Sequence, residues 1–153
     1  MKLVTSSLLT ILLSLLSLVA FAAPGNLSGS STMSKIKSKV EAKEYRTAIE
    51  ELKELVNKDA DNADAYNLLG YSNRKLKQYD VAEIYYKKAL ALDPEHKGAL
   101  EYLGELYVET NRPDKAKEML ARLDDACYFS CEEYEILKKL IAGETVEELA
   151  EHY

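Results

Sequence analysis

From residue 44 onward the apolar positions fall three and four residues apart, and the same arrangement returns every 34 residues. Tyr45, Tyr79 and Pro113 share one column, Ala48, Ala82 and Ala116 the next, then Leu52, Tyr86 and Leu120, then Leu55, Ala89 and Leu123. Upstream in the same frame stand Tyr66, Leu100 and Tyr134, then Leu69, Leu103 and Leu137, with Gly70 beside Gly104. Spacings of three and four put side chains on one face of an α-helix, so each set predicts an amphipathic helix and the two sets predict a repeated helical hairpin. Gly70, Gly104 and the alanine column are expected where helices of one repeat approach closely, with the aromatic and leucine columns filling the space around them. One hairpin cannot cover its own stripe, so the pattern demands a stack of hairpins with polar-backed ends.

A 34-residue unit carrying Tyr66, Leu69, Gly70, Ala82, Tyr86, Ala89 and Pro94 resembles the tetratricopeptide repeat family. The match is fullest over 63–96, where Pro94 ends one helix and Asp93 is expected to cap the next. The resemblance implies an all-α fold, a right-handed superhelical stack with repeats at about 29–62, 63–96 and 97–130 and a capping helix at 131–142. It also implies a concave working face lined by first-helix residues: Asp64, Asn67, Tyr71, Arg74 and Lys75 from one repeat, Glu101, Glu105, Val108 and Glu109 from the next. Relatives that clamp a C-terminal carboxylate use Lys, Asn and Arg on that face, and the strip Glu101, Glu105 and Glu109 speaks against this use here.

The first unit departs from the frame. Ile36 stands in the glycine column and Lys35 in the leucine column, so the helix Met33 to Lys43 cannot pack in the ordinary way. In a shifted register Met33, Ile36 and Val40 form a short apolar stripe, enough for a cap. At the other end, Glu132 to Ile141 keeps Tyr134 and Leu137 but has Lys138 in the glycine column, and so reads as the terminal cap. Gly143 should end it, and 145–153, with Thr145 as N-cap, suggests one more short helix.

Outside the repeats, Lys2 followed by the apolar run Leu8 to Ala23 and the small-residue pattern Ala20-Phe21-Ala22 reads as an export signal at 1–22, cut before Ala23. The run is short of the roughly 18 to 20 unbroken apolar residues of a membrane span, so no span is expected after cleavage. Residues 23–32, rich in Gly and Ser, are expected to be a flexible spacer ahead of a domain at 33–142. The signal points to the periplasm, with secretion or a secretory-pathway lumen as alternatives. The chain carries −6, and Lys2 is the only charge in its first 34 residues, so the remainder carries −7. That balance opposes nucleic acid and anionic membranes as partners and favours a basic one.

Cys127 and Cys131 are the only cysteines, and in an exported chain an even pair reads first as a disulfide. They occupy the slots of Asp93 and Lys97, bracketing the turn into the capping helix, where a closed loop this short contributes about 2 kcal/mol. A second reading makes them a copper-binding or redox-active thiol pair, although neither His96 nor His152 stands at ligand spacing and both look like surface positions. No catalytic constellation, phosphate loop, metal site or cofactor motif is found, so no enzyme is expected.

Eleven tyrosines against two phenylalanines and no tryptophan call for an account. Tyr66, Tyr79, Tyr86, Tyr107 and Tyr134 fall in repeat columns and are assigned to packing; Tyr71, Tyr102 and Tyr85 remain as contact candidates, Tyr71 first. The function expected is an adaptor binding a peptide or helix through Asn67, Tyr71, Arg74, Lys75, Glu101, Tyr102, Glu105 and Glu109. A self-assembling structural repeat protein is the third reading.

Overall fold

The computed structural model describes residues 27–129 and 131–144; the export signal at 1–22 and the helix expected at 145–153 lie outside the described residues. Seven helices follow one another among them: α1 (Leu27–Glu41), α2 (Tyr45–Lys58), α3 (Ala63–Lys75), α4 (Tyr79–Leu92), α5 (Lys97–Glu109), α6 (Pro113–Ala126) and α7 (Glu132–Ala142). Each packs on the next, except that α7 lies against both α5 and α6, and α3 also touches α1 and α5. The odd-numbered helices therefore form one continuous wall, which makes this an all-α stack of helical hairpins.

The 34-residue period extends to the backbone between the apolar columns. Each hairpin turns through a left-handed residue, Lys43 (φ 62°), Lys77 (φ 60°) and Asn111 (φ 55°), and after each the next N–H returns to a carbonyl five residues back. Asp59, Asp93 and Cys127 each close an even helix with an N–H bonded to the carbonyl four residues back. Asn62 and His96, again 34 apart, open α3 and α5: the Asn62 side chain accepts from Ala65 N–H at 2.9 Å and His96 Nδ1 from Ala99 N–H at 3.2 Å. So His96, rather than Asp93, caps α5, because Pro94 and Glu95 must complete the turn before the first free N–H groups appear. Asp93 Oδ1 instead accepts from Glu95 N–H at 3.1 Å. Nor is His96 a free surface group: its side chain is 14% exposed and its Nε2 meets Asp64 at 3.1 Å.

Residues 27–31, expected as spacer, are wound into α1. Once Met33, Ile36 and Val40 anchor that helix, its upstream growth needs no new nucleation. The shifted register is seen: Ile36 is wholly buried with Ala48, Leu52, Ala65 and Leu69, Val40 nearly so, and Met33 packs at the edge. Gly70 lies against its own hairpin partner, since a Cβ there would stand 2.5 Å from the Tyr86 ring. Gly104 differs from expectation. The side chain over it is Leu137 of α7, not a residue of α6. Leu120, standing where Tyr86 stands one repeat earlier, is shorter, and the capping helix supplies the missing bulk.

A second core, Ala82, Tyr86, Ala89, Leu100, Leu103, Leu106, Tyr107, Ala116, Leu123 and Leu137, fills the C-terminal half. Tyr66 and Tyr71 pack against both cores and join them.

Candidate functional site: the odd-helix wall

Three tyrosine rings run along the wall. Tyr71 of α3 lies edge-on to Tyr45 at the start of α2, with centroids 6.3 Å apart, and tilted against Tyr102 of α5 at 5.0 Å; Tyr102 in turn meets the buried Tyr86 at 6.3 Å. Between these rings and α1 opens a recess of about 320 Å³ lined by Val40, Leu68, Tyr45, Tyr71 and Tyr102, with Lys37, Glu41 and Lys43 at its edge. Lys75 Nζ sits 5.2 Å from the Tyr71 ring centre. The recess exists because α1 is out of register: Ile36 and Val40 turn inward, and the following turn brings Lys43 and Tyr45 opposite Tyr71.

Beyond the rings stands a charged cluster. The Arg74 guanidinium, 2% exposed, lies 5.7 Å and 5.6 Å from the Tyr71 and Tyr102 ring centres and pairs with Glu105 and, at 2.5 Å, with Glu109. Burial alone would lower the Arg74 pKa, but Glu105, Tyr86 and Glu109 outweigh it and hold the group charged. Glu101, one turn before Glu105 on α5, is 6% exposed, and among the described residues no donor or cation bonds its carboxylate. Burial first, then the charges of Glu105 and Glu133, push its pKa up to about 8.

The structure thus brings the eight residues singled out in the sequence onto one wall but divides them. Tyr71, Tyr102, Lys75 and Glu109 keep accessible surface, whereas Asn67, Arg74, Glu101 and Glu105 are buried. Asn67 is inside because its amide packs where α5 begins, near enough that a Cβ on Gly98 would stand 3.2 Å from its nitrogen. Arg74 and Glu105 are inside as an ion pair, with Arg74 Nε left without a hydrogen-bond partner among the described residues. Asp64 is exposed and paired with His96, Val108 packs against the second core, and Tyr85 leaves the wall to stack on Tyr66 at 6.3 Å.

Sequence reasoning missed Lys37, Val40, Lys43, Tyr45 and Leu68, although Tyr45 was already aligned in a repeat column. It missed a second network as well: Glu83 of α4 accepts from Tyr107 OH at 3.1 Å, Arg112 at 2.6 Å and Lys87 at 2.8 Å. Burial would raise the Glu83 carboxyl, but those three donors outweigh it and hold the pKa down at about 2. Cys127 and Cys131 stand where expected, at the end of α6 and the start of α7, with sulfurs 2.01 Å apart.

Comparison with known proteins agrees with this geometry. Two models described as tetratricopeptide repeat match residues 34–97 and 73–139, together more than half of the chain. A curated relative, the uncharacterized protein ycf37 of Guillardia theta, is 36% identical over 40% of this chain and 34% of its own length, so the match spans about a third of that relative. Among solved structures, the first repeat domain of Spaghetti (RPAP3), bound to an HSP90 peptide, superposes with a TM-score of 0.66 at 20% identity, covering 80% of this chain and 93% of that one. The Yersinia enterocolitica type III secretion chaperone SycD, in complex with a peptide of the translocator YopD, gives 0.66 at 16% identity over 75% and 87%. At such identities the likeness concerns the fold. With the 34-residue columns, the left-handed turns at the same interval and both sequence models in accord, the chain belongs to the tetratricopeptide repeat family.

Proposed function

We propose that the chain is an exported, non-catalytic scaffold that binds an extended segment of a partner protein along the wall of α1, α3, α5 and α7. The observation that carries this reading is the recess: Tyr71, Tyr102 and Tyr45 present partly exposed rings around an open apolar space edged by lysines. Such an arrangement fits one apolar side chain of a partner, with tyrosine hydroxyls at the rim. Further along the wall the buried Glu101 has no ion-pair partner among the described residues and feels Arg74 only at longer range, so the partner segment is proposed to bring a Lys or Arg there. Rigid helices keep the ordering cost on the partner's side. Two structural neighbours, RPAP3 bound to an HSP90 peptide and SycD in complex with a YopD peptide, support a peptide as the class of ligand.

The export signal at 1–22 and the disulfide between Cys127 and Cys131 belong to the same reading, since an oxidising compartment is where such a pair persists. A copper site would need two free thiolates, and the geometry gives no reason to prefer it. N-terminal sequencing of protein recovered from the cell envelope should start at Ala23.

The binding test is selection from a displayed library of random peptides, comparing the parent with Tyr71→Ser after circular dichroism has shown both folded. The parent is expected to enrich sequences pairing an apolar residue with a Lys or Arg, and Tyr71→Ser to lose them. Equal enrichment by both proteins, or none by the parent, defeats the proposal.

A further inference from the structure

The recess has a counterpart elsewhere on the stack. Tyr128 is 100% exposed and Phe129 90%, the two most exposed large hydrophobic side chains among the described residues. They project from the short link between α6 and α7, whose ends are held together by Cys127 and Cys131. Two adjacent aromatics this exposed leave apolar surface in water that burial against another molecule would remove.

Charge indicates what these rings meet. Asp124 and Asp125 precede the link and Glu132, Glu133 and Glu135 follow it, with no Lys or Arg between Arg122 and Lys138. The recess is edged by Lys37 and Lys43 against Glu41, and α1 also carries Lys35, while its Lys39 is paired with Glu51 of α2. The hollow is therefore edged mainly by lysines, and the projection is flanked by acidic residues. The volume of the hollow, about 320 Å³, lies at the small end of the ligand-pocket range, roughly 300 to 1,000 Å³, suited to a side chain rather than a large ligand. The projection follows α6, whereas the hollow is lined from α1, α2, α3 and, through Tyr102, α5, so the two are different surfaces of one molecule.

We propose that the chain associates head to tail with copies of itself, the Tyr128–Phe129 projection of one molecule placing one of its rings in the Val40, Leu68, Tyr45, Tyr71 and Tyr102 recess of the next. The two contacting patches are different surfaces, so the contact is heterologous and each added copy exposes a fresh recess and a fresh projection. Association is steered by the acidic flanks of the projection and the lysines of the recess, and salt screens it. The contact occupies the recess assigned above to a partner peptide, yet it is read from mass in solution, so a failed peptide selection leaves it standing.

The experiment is sedimentation velocity on the chain beginning at Ala23, with the sulfur pair intact, at rising concentration in low and high salt. The expected result is a mass that climbs past twice the monomer with concentration and falls back in high salt. Tyr128→Ser with Phe129→Ser removes the projection, and Lys37→Glu with Lys43→Glu reverses the edge of the recess. Each double variant alone is expected to stay monomeric. Mixed in equal amounts they should form a dimer and stop there, since the first retains only a working recess and the second only a working projection. Partnering in the mixture also shows that both variants are folded. A parent that remains monomeric throughout, a projection variant that assembles as the parent does, or a mixture that stays monomeric or grows beyond a dimer overturns the proposal.

Discussion

Glu83 and Glu101 lie in neighbouring hairpins of one stack and have opposite surroundings. At the junction of α4, α5 and α6, Glu83 takes hydrogen bonds from Tyr107, Arg112 and Lys87, and its carboxyl is held down at about 2. On the odd-helix wall Glu101 is more deeply placed, has no hydrogen-bond donor among the described residues, and is pushed up to about 8. The half-buried Glu83 is served by three donors, whereas the buried Glu101 has only the longer-range charge of Arg74 in its favour. A junction between hairpins has to be self-sufficient because nothing else arrives there, whereas a wall facing outward can leave a group to be completed from outside. Arg74 marks the boundary between the two regimes: it pairs directly with Glu105 and Glu109 and reaches Glu101, one turn away, only through its longer-range charge.

The strongest way to break this contrast is to turn Glu105 into a second Glu101. Arg74→Ala removes the buried partner of Glu105, and urea unfolding should show a loss of about 3 to 5 kcal/mol, the usual cost of leaving a buried charge alone. Arg74→Met combined with Glu105→Gln should recover most of it, and a double variant as unstable as Arg74→Ala would show that the pairing is not the cause.

Next is the slope of stability against pH. Glu101 keeps its proton in the folded chain at pH values where the unfolded chain has released it, so its contribution declines as pH rises from the ordinary carboxylate range through about 8. Glu101→Gln should flatten that decline, matching the parent near pH 4.5 and exceeding it by about 1 to 3 kcal/mol at pH 8. A parent whose stability is level across this range would remove the basis for calling Glu101 uncompensated.

Glu83 should slope the other way. Its carboxyl is held low, so its contribution is full above the ordinary carboxylate range and disappears as pH falls through about 2. Allowing for solvent around Lys87 and Arg112, Glu83→Gln should cost about 1 kcal/mol at pH 7 and nothing at pH 2, read from thermal melts.

The smallest change serves as the control. Lys77 sits in a left-handed turn where glycine is unstrained, so Lys77→Gly should raise stability by up to about 1 kcal/mol without altering either pH slope.

The hairpins were legible because the residues that make them recur in a fixed frame: Leu69 predicts Leu103, Ala82 predicts Ala116, and each predicts a buried place that the structure gives it. The cap at Met33, Ile36 and Val40 was also legible, from the failure of Ile36 and Lys35 to fit that frame. The wall was legible as a set of positions and not as a surface. Asn67, Arg74, Glu101 and Glu105 share its periodicity with Tyr71 and Tyr102, and nothing in a one-dimensional pattern tells a charged side chain that points into a groove from one that has found a partner 31 residues away. Gly104 was assigned to its own hairpin for the same reason, since the identity of Leu137 as its neighbour depends on how far Leu120 falls short.

By itself the sequence determined the helices from α2 to α7, their pairing and their order, because periodic burial and turn chemistry are local and repeat every 34 residues, while the start of α1 ran upstream of its apolar stripe. Only the tertiary structure decided which charges are compensated and where the wall stays open. Those outcomes depend on distances between side chains from different helices, and a shift of one turn in α1 is enough to make a recess where the repeat frame has none.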